Sequence, residues 1–380
     1  MPKYDYIILG AGASGLLLAD AMDKDPYFSN KKVLLLDKSS KNTNDRTWCF
    51  WEKGAGPFDE ILHKTWPRIY FAGKNMQQSF TIEPYSYKML RGIDFYDHYL
   101  KRTLQNPNFE FRKEAVIKVE EIEGHGQVTT TAQTYKAQTV FNSIFDYKEL
   151  MGQEKYPVLQ QHFVGWFIKT KKPIFDDEEA RFMDFSIPQK GNTRFMYVLP
   201  FSKTEALVEY TLFSESPLDK EEYELAIETY LKTHLGITEY EILEKEEGNI
   251  PMTCFDFNHK NTNHVFHIGI AGGWAKASTG YTFMSTVKKV ALLVKHLKKG
   301  KPLLDFETKD RFWFYDLLLL DILDKHNHLG SSIFESLFKK RKPQEIFKFL
   351  DEETSLSEDI WIMAAPKPWP FIRALFGRIF

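Results

Sequence analysis

Gly10, Gly12 and Gly15 fall in the pattern Gly-x-Gly-x-x-Gly, after the apolar residues 6–9 and before a helical pattern of Leu16, Leu17, Ala19 and Ala21. Glycines at this spacing suit a diphosphate. Gly10 permits the turn, Gly12 lets backbone N–H groups approach the phosphates, and Gly15 lets helix and strand pack closely. Asp37 closes a second apolar run, residues 33–36, where an acid is placed to bind ribose hydroxyls. A different chemistry is legible at Glu209, in Leu207-Val208-Glu209-Tyr210-Thr211. Strand alternation puts it on one face with Leu207 and Thr211. A carboxyl in apolar surroundings resists ionisation and can act as an acid near neutrality. Asp184, between Met183 and Phe185, is a second acid on a strand-like segment and could line the same cavity.

The elements that must position these groups follow from periodicity. Residues 1–45 read as a β-α-β unit. Arg46 then opens Arg-Thr-Trp-Cys-Phe-Trp, either beside a cofactor phosphate or flavin, or as a surface arginine on a packed loop. Alternation over 66–90 predicts a hairpin. Segments 109–111, 116–119 and 128–131 predict short strands of a small sheet, and 139–143 a buried strand returning to the first sheet. Four strand-like segments, at 163–168, 182–185, 195–200 and 206–211, predict an antiparallel sheet suited to a substrate. Residues 218–235 follow helical spacing. The apolar run 265–271 ends in Gly272 and Gly273 and leads through Thr279 and Gly280 into another helical pattern. Two distant strand–glycine–helix units suit the extended FAD molecule better than NAD alone. The expected class is α/β: a discontinuous, Rossmann-like FAD-binding domain (1–150 and 255–300), an antiparallel-sheet substrate domain (151–254) and a helical C-terminal region (301–380). The last twelve residues mix aromatics with arginines, a composition that suits either a segment lying on a membrane or a helix packed on the body.

Composition narrows the function classes. A net charge of -2 gives no general attraction to nucleic acid. Cys49 and Cys254 are the only cysteines, which excludes a disulfide framework and points to a reducing, cytosolic setting without a leader peptide. No metal-ligand spacing stands out. No apolar run reaches the ~18 residues of a spanning helix. Aromatic residues make up 15% of the chain, enough to wall a large apolar cavity.

With these pieces in order, the chain resembles the lycopene β-cyclases, flavoprotein carotenoid cyclases similar in fold to flavin hydroxylases and geranylgeranyl reductases. The resemblance runs nearly the full length. It rests on Gly10 to Gly15, Arg46 to Trp51, Met183-Asp184-Phe185, Phe195 to Pro200, Leu207 to Thr211, Gly248 to Met252, Gly272-Gly273 and Lys276 to Tyr281. It implies bound FAD, active when reduced, with NAD(P)H as reductant and no net redox change. Lycopene and γ-carotene are the implied substrates, taken up at the inner face of a membrane. The family's catalytic glutamate, in a Glu-x-Thr motif, maps onto Glu209. A similar string at Glu352-Glu353 lies too late in the chain to be that motif. Trp166, Trp274 and Phe185 are candidate rings for shielding a cation. Two departures bear on cofactor contacts: Ala277 where the family often has proline, and Asn142-Ser143-Ile144 where many members have Asp-Ser-Arg. A hydroxylase or isoprenoid reductase, or a carotenoid-binding flavoprotein without turnover, are the alternative readings.

Overall fold

The computed structural model describes residues 2–150, 152–306 and 309–379; Phe380, in the predicted membrane segment, lies outside them. In chain order the elements are β1 (Lys3–Leu9), α1 (Ala13–Asp23), β2 (Val33–Asp37), β3 (Thr47–Lys53), β4 (Lys64–Trp66), β5 (Arg68–Ala72), β6 (Gln77–Thr81), β7 (Tyr85–Arg91) and α2 (Gly92–Thr103). Then come β8 (Phe109–Lys113), β9 (Val116–Ile122), β10 (His125–Thr130), β11 (Thr134–Asn142), β12 (Val158–Thr170), β13 (Glu179–Asp184), β14 (Thr193–Pro200), β15 (Glu205–Ser214), α3 (Lys220–Thr233) and β16 (Tyr240–Thr253). The chain ends with β17 (Val265–His267), α4 (Phe283–Lys298), α5 (Arg311–His326), α6 (Gly330–Lys340), α7 (Pro343–Leu350), α8 (Leu356–Met363) and α9 (Pro368–Ile379).

The first sheet runs β8-β2-β1-β11-β10-β9, with β17 also on β11. β1 is parallel to β2 and β11, β2 to β8, and β11 to β17. Ile7, Ile8, Leu9 and residues 33–36 are fully buried, because helices cover one face and further apolar side chains the other. Each such aliphatic side chain contributes about 1.5–3 kcal/mol on burial. The strands expected to form a separate small sheet do not. β8 extends the parallel edge beside β2, while β9 and β10 continue the sheet antiparallel from β11.

The second sheet, β16-β12-β15-β14-β13-β5-β6, contains the four strands foreseen as a substrate sheet. The foreseen hairpin β5–β6 joins it through a parallel pairing of β5 with β13. One face packs on α3 through Trp166, Met196, Val208, Tyr210, Ile227 and Tyr230. The other faces the three-stranded β3-β7-β4 sheet and the C-terminal helices across an aromatic core that includes Trp51, Tyr87, Phe182, Phe334 and Phe347. Glu209 belongs to that second face. α1 packs on α4, so the two strand–glycine–helix units lie side by side.

Candidate active site

The first glycine turn is built as its spacing requires. Gly10 takes a φ of 89°, and a Cβ on Gly15 would sit 2.0 Å from the Gly10 carbonyl oxygen. A Cβ on Gly12 would meet nothing within 4 Å, which leaves open space at the N-terminus of α1. Asp37 stands against this turn. Its carboxylate accepts from Ala11 N and Ser39 N, both at 2.8 Å, and pairs with Lys41. A carboxylate offers about four acceptor sites, so capacity remains for ribose hydroxyls. The second turn closes on the first: Gly269, with a φ of 62°, would drive a Cβ to 2.1 Å from Ser14 Oγ. Gly272 is tight against the His267 carbonyl, and Gly273 and Gly280 take φ values of 69° and 71°. Gly280 N and Thr279 N both donate to the Lys276 carbonyl. Two buried polar atoms nearby have no partner among the described residues: Gln161 Oε1, which fills the space a Gly280 Cβ would need, and Asn44 Oδ1. Open space at a helix start, an acid beside it and orphaned acceptors fit an extended dinucleotide. Arg46 is exposed and donates to the Asp45 carbonyl, at the margin of this cleft.

Glu209 lies at the centre of β15, paired with Tyr197 on β14 and Gly165 on β12. Its Oε1 accepts a 2.6 Å bond from Thr211 Oγ1, two residues on and on the same face. Gly165 also pairs with Glu246 of β16, so Glu209 and Glu246 flank one glycine on one face. A Cβ on Gly165 would lie 3.5 Å from Glu209 Cβ and 3.2 Å from Glu246 Cγ. The missing Cβ is what gives the two carboxyls room over this strand. Thr47 Oγ1 donates to Glu246 Oε2 at 2.7 Å. Burial first, and the Glu246 carboxylate second, push the Glu209 carboxyl well above the usual range. Glu246 is also raised by burial, but Thr47, Arg91 and Arg46 pull it back.

Towards the second glycine loop the hydroxyls and the thiol beside Glu209 are uncharged. Tyr87 hydrogen bonds to Tyr197 and contacts the Tyr281 hydroxyl at 3.4 Å. Burial pushes all three phenols and the Cys49 thiol up, so they hold their protons. Cys49, Trp51 and Tyr281 also line a cavity of about 300 Å³ with Phe283 and Met284, and charged side chains such as Lys276 and Glu352 complete its wall. That is the lower end of small-molecule pockets, ~300–1,000 Å³.

Asp184 does not join Glu209. A β-bulge between Arg181 and Asp184 places Phe182 and Met183 together in the aromatic core and turns Asp184 to the α3 side. There it accepts from Tyr230 Oη at 2.6 Å and from Ser186 N at 3.0 Å. The expected shared cavity is corrected by that one extra residue. Trp166, next to Gly165, faces α3 as well, and Trp274 is buried in the core under the first sheet. Phe185 does reach the aromatic core, stacked on Phe334. Glu352 and Glu353 pair with Lys276 and Lys288. The residue that spacing alone missed is Glu246. It sits in a charged strand that reads as solvent-facing, and only its register against Gly165 marks it.

The raised carboxyl has a consequence for stability. At a pH below about 4.3, the ordinary glutamate value, Glu209 is protonated both folded and unfolded. As pH rises the unfolded chain releases that proton first, so the wild type loses stability through the folded-state value. Glu209→Gln has no proton to lose. Chemical denaturation at pH 8 should find it more stable than wild type by a few kcal/mol, about 1.4 kcal/mol per pH unit of displacement, with little difference at pH 4. Equal stability at pH 8 would contradict the buried placement.

Comparison with known proteins gives a consistent set. Residues 5–375 match the profile of the family described as lycopene cyclase protein. The chain is similar to a lycopene beta-cyclase of Paracoccus sp., with 23% identity over 291 residues, 73% of this chain and 70% of that one. It is also similar to a chloroplastic neoxanthin synthase of Solanum tuberosum, with 24% identity over 317 residues, 78% of this chain and 61% of that one. Among solved structures, a geranylgeranyl bacteriochlorophyll reductase-like protein of Thermoplasma acidophilum superposes with a TM-score of 0.62 at 11% identity, covering 98% of both chains. A flavin-dependent brominase reaches 0.64 at 12% identity, over 95% of this chain and 98% of that one. At these identities the structures establish a shared fold.

Proposed function

The chain belongs to the lycopene cyclase protein family, and from that membership we propose that it closes the acyclic ends of lycopene into β-ionone rings, giving γ- and β-carotene. The observation that carries this reading is a buried carboxyl, Glu209, whose surroundings disfavour its charge, on a sheet face lined by aromatics and hydroxyls. Protonating an alkene needs a strong acid kept from water. Thr211 donates to Glu209 Oε1, which leaves Oε2 free to carry the acidic proton. Donating it to the terminal double bond forms a C–H bond and leaves a tertiary cation. Closure of the neighbouring double bond on that cation forms the six-membered ring. Loss of a ring proton to a carboxylate of the site restores neutrality, so no electrons are gained or lost overall. Neutral phenols and a protonated thiol are poor traps for the cation, and ring faces such as Trp51 and Phe182 attract it.

FAD is the cofactor in this reading, supported by the paired glycine turns and by a fold shared with a flavin-dependent brominase. Gly10, Gly12, Gly15 and Asp37 would hold its diphosphate and ribose, and Gly272, Gly273, Thr279 and Gly280 its other end, with Arg46 at the margin. Reduced by NAD(P)H, a bound flavin supplies negative charge that stabilises a nearby cation. Anaerobic incubation with lycopene in lipid, FAD and NADPH should give cyclised carotenoid without stoichiometric NADPH consumption. Oxygenated or saturated product would replace this reading with a hydroxylase or reductase.

Such a substrate resides in a membrane. No helix among the described residues is long and apolar enough to cross one. In this reading α9 is the contact, lying on the inner face of the bilayer. Arg378 forks onto Asp321 of α5 and donates to the Lys155 carbonyl, while Trp369, Ile372 and Ile379 are exposed at helical spacing beside the exposed Lys367 and Arg373. Trp369→Ser with Ile372→Ser should cut sedimentation with anionic vesicles at least ~10-fold, since each buried apolar side chain is worth about 1.5–3 kcal/mol, and leave the fold intact by circular dichroism. Unchanged sedimentation would place the contact elsewhere.

A further inference from the structure

Two carboxyls on one sheet face, with unequal surroundings, invite a division of roles. Glu209 and Glu246 sit on either side of Gly165, each one strand spacing of ~4.7–4.9 Å away. Glu209 has one local donor, Thr211. Glu246 has Thr47 at 2.7 Å and lies close enough to Arg46 and Arg91 to feel both guanidiniums. Glu244 bears on it too, but its carboxylate is engaged by Arg91 at 2.7 Å and by Asn44 at 3.2 Å. Among the described residues, the other titratable groups facing the pair are Cys49 from β3, Tyr87 from β7, Tyr197 from β14 and Tyr281 from the second glycine loop. All four keep their protons, so none competes for the charge.

We propose that Glu246 is a positioning residue that holds the pair's single negative charge, over Gly165, and thereby keeps the acid proton on Glu209. The asymmetry of the donors decides which carboxyl is which. Both guanidiniums and Thr47 favour a carboxylate at Glu246, and a second charge nearby on the same face would be repelled. After burial, the Glu246 charge is what raises Glu209 most, whereas Glu246, raised by its own burial and by Glu244, is drawn back by Thr47 and the two guanidiniums, a pull that Glu209 lacks. This inference rests on the reading of Glu209 as the acid of the proposed cyclisation. Gly165 is part of the device, because a side chain there would occupy the space into which Glu246 Cγ and Glu209 Cβ approach.

The test is a titration of the protonated glutamate carboxyl in the full-length, flavin-loaded protein, followed by infrared difference spectroscopy with ¹³C-labelled glutamate. Glu209→Gln assigns the signal. Glu246→Gln removes the charge, so Glu209 should lose its proton at a pH at least ~1 unit lower. Thr47→Val, which keeps both carboxyls, loosens the charge from Glu246 and should move the midpoint the same way by less. The alkaline limb of the pH profile of kcat/KM for cyclisation should follow the spectroscopic midpoint in each variant. An unmoved midpoint in both variants overturns the proposal, and so does a limb that stays put while the midpoint moves. A midpoint that shifts in a protein without cyclase activity at any pH leaves the charge pairing standing and removes the cyclase reading instead.

Discussion

Glu209→Gln should bind flavin as the wild type does and lose ring closure by a factor on the order of 10²–10⁴, the usual contribution of a positioned general acid. The amide keeps the shape of the carboxyl and can still accept from Thr211, so the strand pairing of β15 with β12 and β14 is undisturbed. What it lacks is a transferable proton. The measurement is product formation from lycopene beside the flavin absorbance of the same preparation. A variant with full flavin and near-normal product would remove Glu209 from the acid role and pass it to another group of the site. Loss of flavin together with activity would show instead that the substitution had disturbed the fold.

Gly15→Ala should empty the protein of its cofactor. The added methyl would lie 2.0 Å from the carbonyl oxygen of Gly10 and 3.1 Å from Ile8 Cγ2. The first of these is backbone in the turn itself, so it cannot swing aside as a long side chain would. Either α1 moves off β1 or the turn opens, and both displace the N–H groups aimed at the diphosphate. Overpacking of this kind typically costs about 1–3 kcal/mol in stability, and the binding geometry is lost with it. Flavin released from the purified variant should fall below a tenth of wild type, and added FAD should not restore it. Gly12→Ala is the contrast, since a Cβ there meets no protein atom and interferes only with a bound phosphate. It should fold with wild-type stability and still bind flavin weakly. A full flavin complement in Gly15→Ala would mean that the close approach of α1 to β1 is not needed for the site.

Much of this architecture was legible because it is local. A strand, a glycine turn and a helix within twenty residues leave a pattern that needs no partner, and both such units were readable, as was the antiparallel run from β12 to β15. Glu209 was readable because its apolar neighbours are its sequence neighbours. What escaped depends on register between distant strands. Glu246 lies in Glu-Lys-Glu-Glu, which any local criterion assigns to solvent, and it enters the site only because β16 pairs with β12 across Gly165. Asp184 was misplaced for a related reason. Alternation carried forward from Phe182 would put it on the Glu209 face, and the bulge reverses that parity. The strands at 109–131 read as a sheet of their own because nothing local distinguishes an edge extension from a separate sheet.

The late arrival of β17 bears on how this chain is made. β11 has its outer edge shared, with β10 along Thr134 to Ala137 and with β17 along Val140 to Asn142. The second half of that edge is supplied only when residues 265–267 have been synthesised, and the contact of Ser14 with Gly269 waits equally long. Until then a nascent chain carries an unpaired, strongly apolar strand end. Exposed edges of this sort template association with other chains, and contacts between such remote segments slow the final closure. Ribosome-bound or truncated forms ending before residue 265 should therefore depend on chaperones that the finished protein does not need.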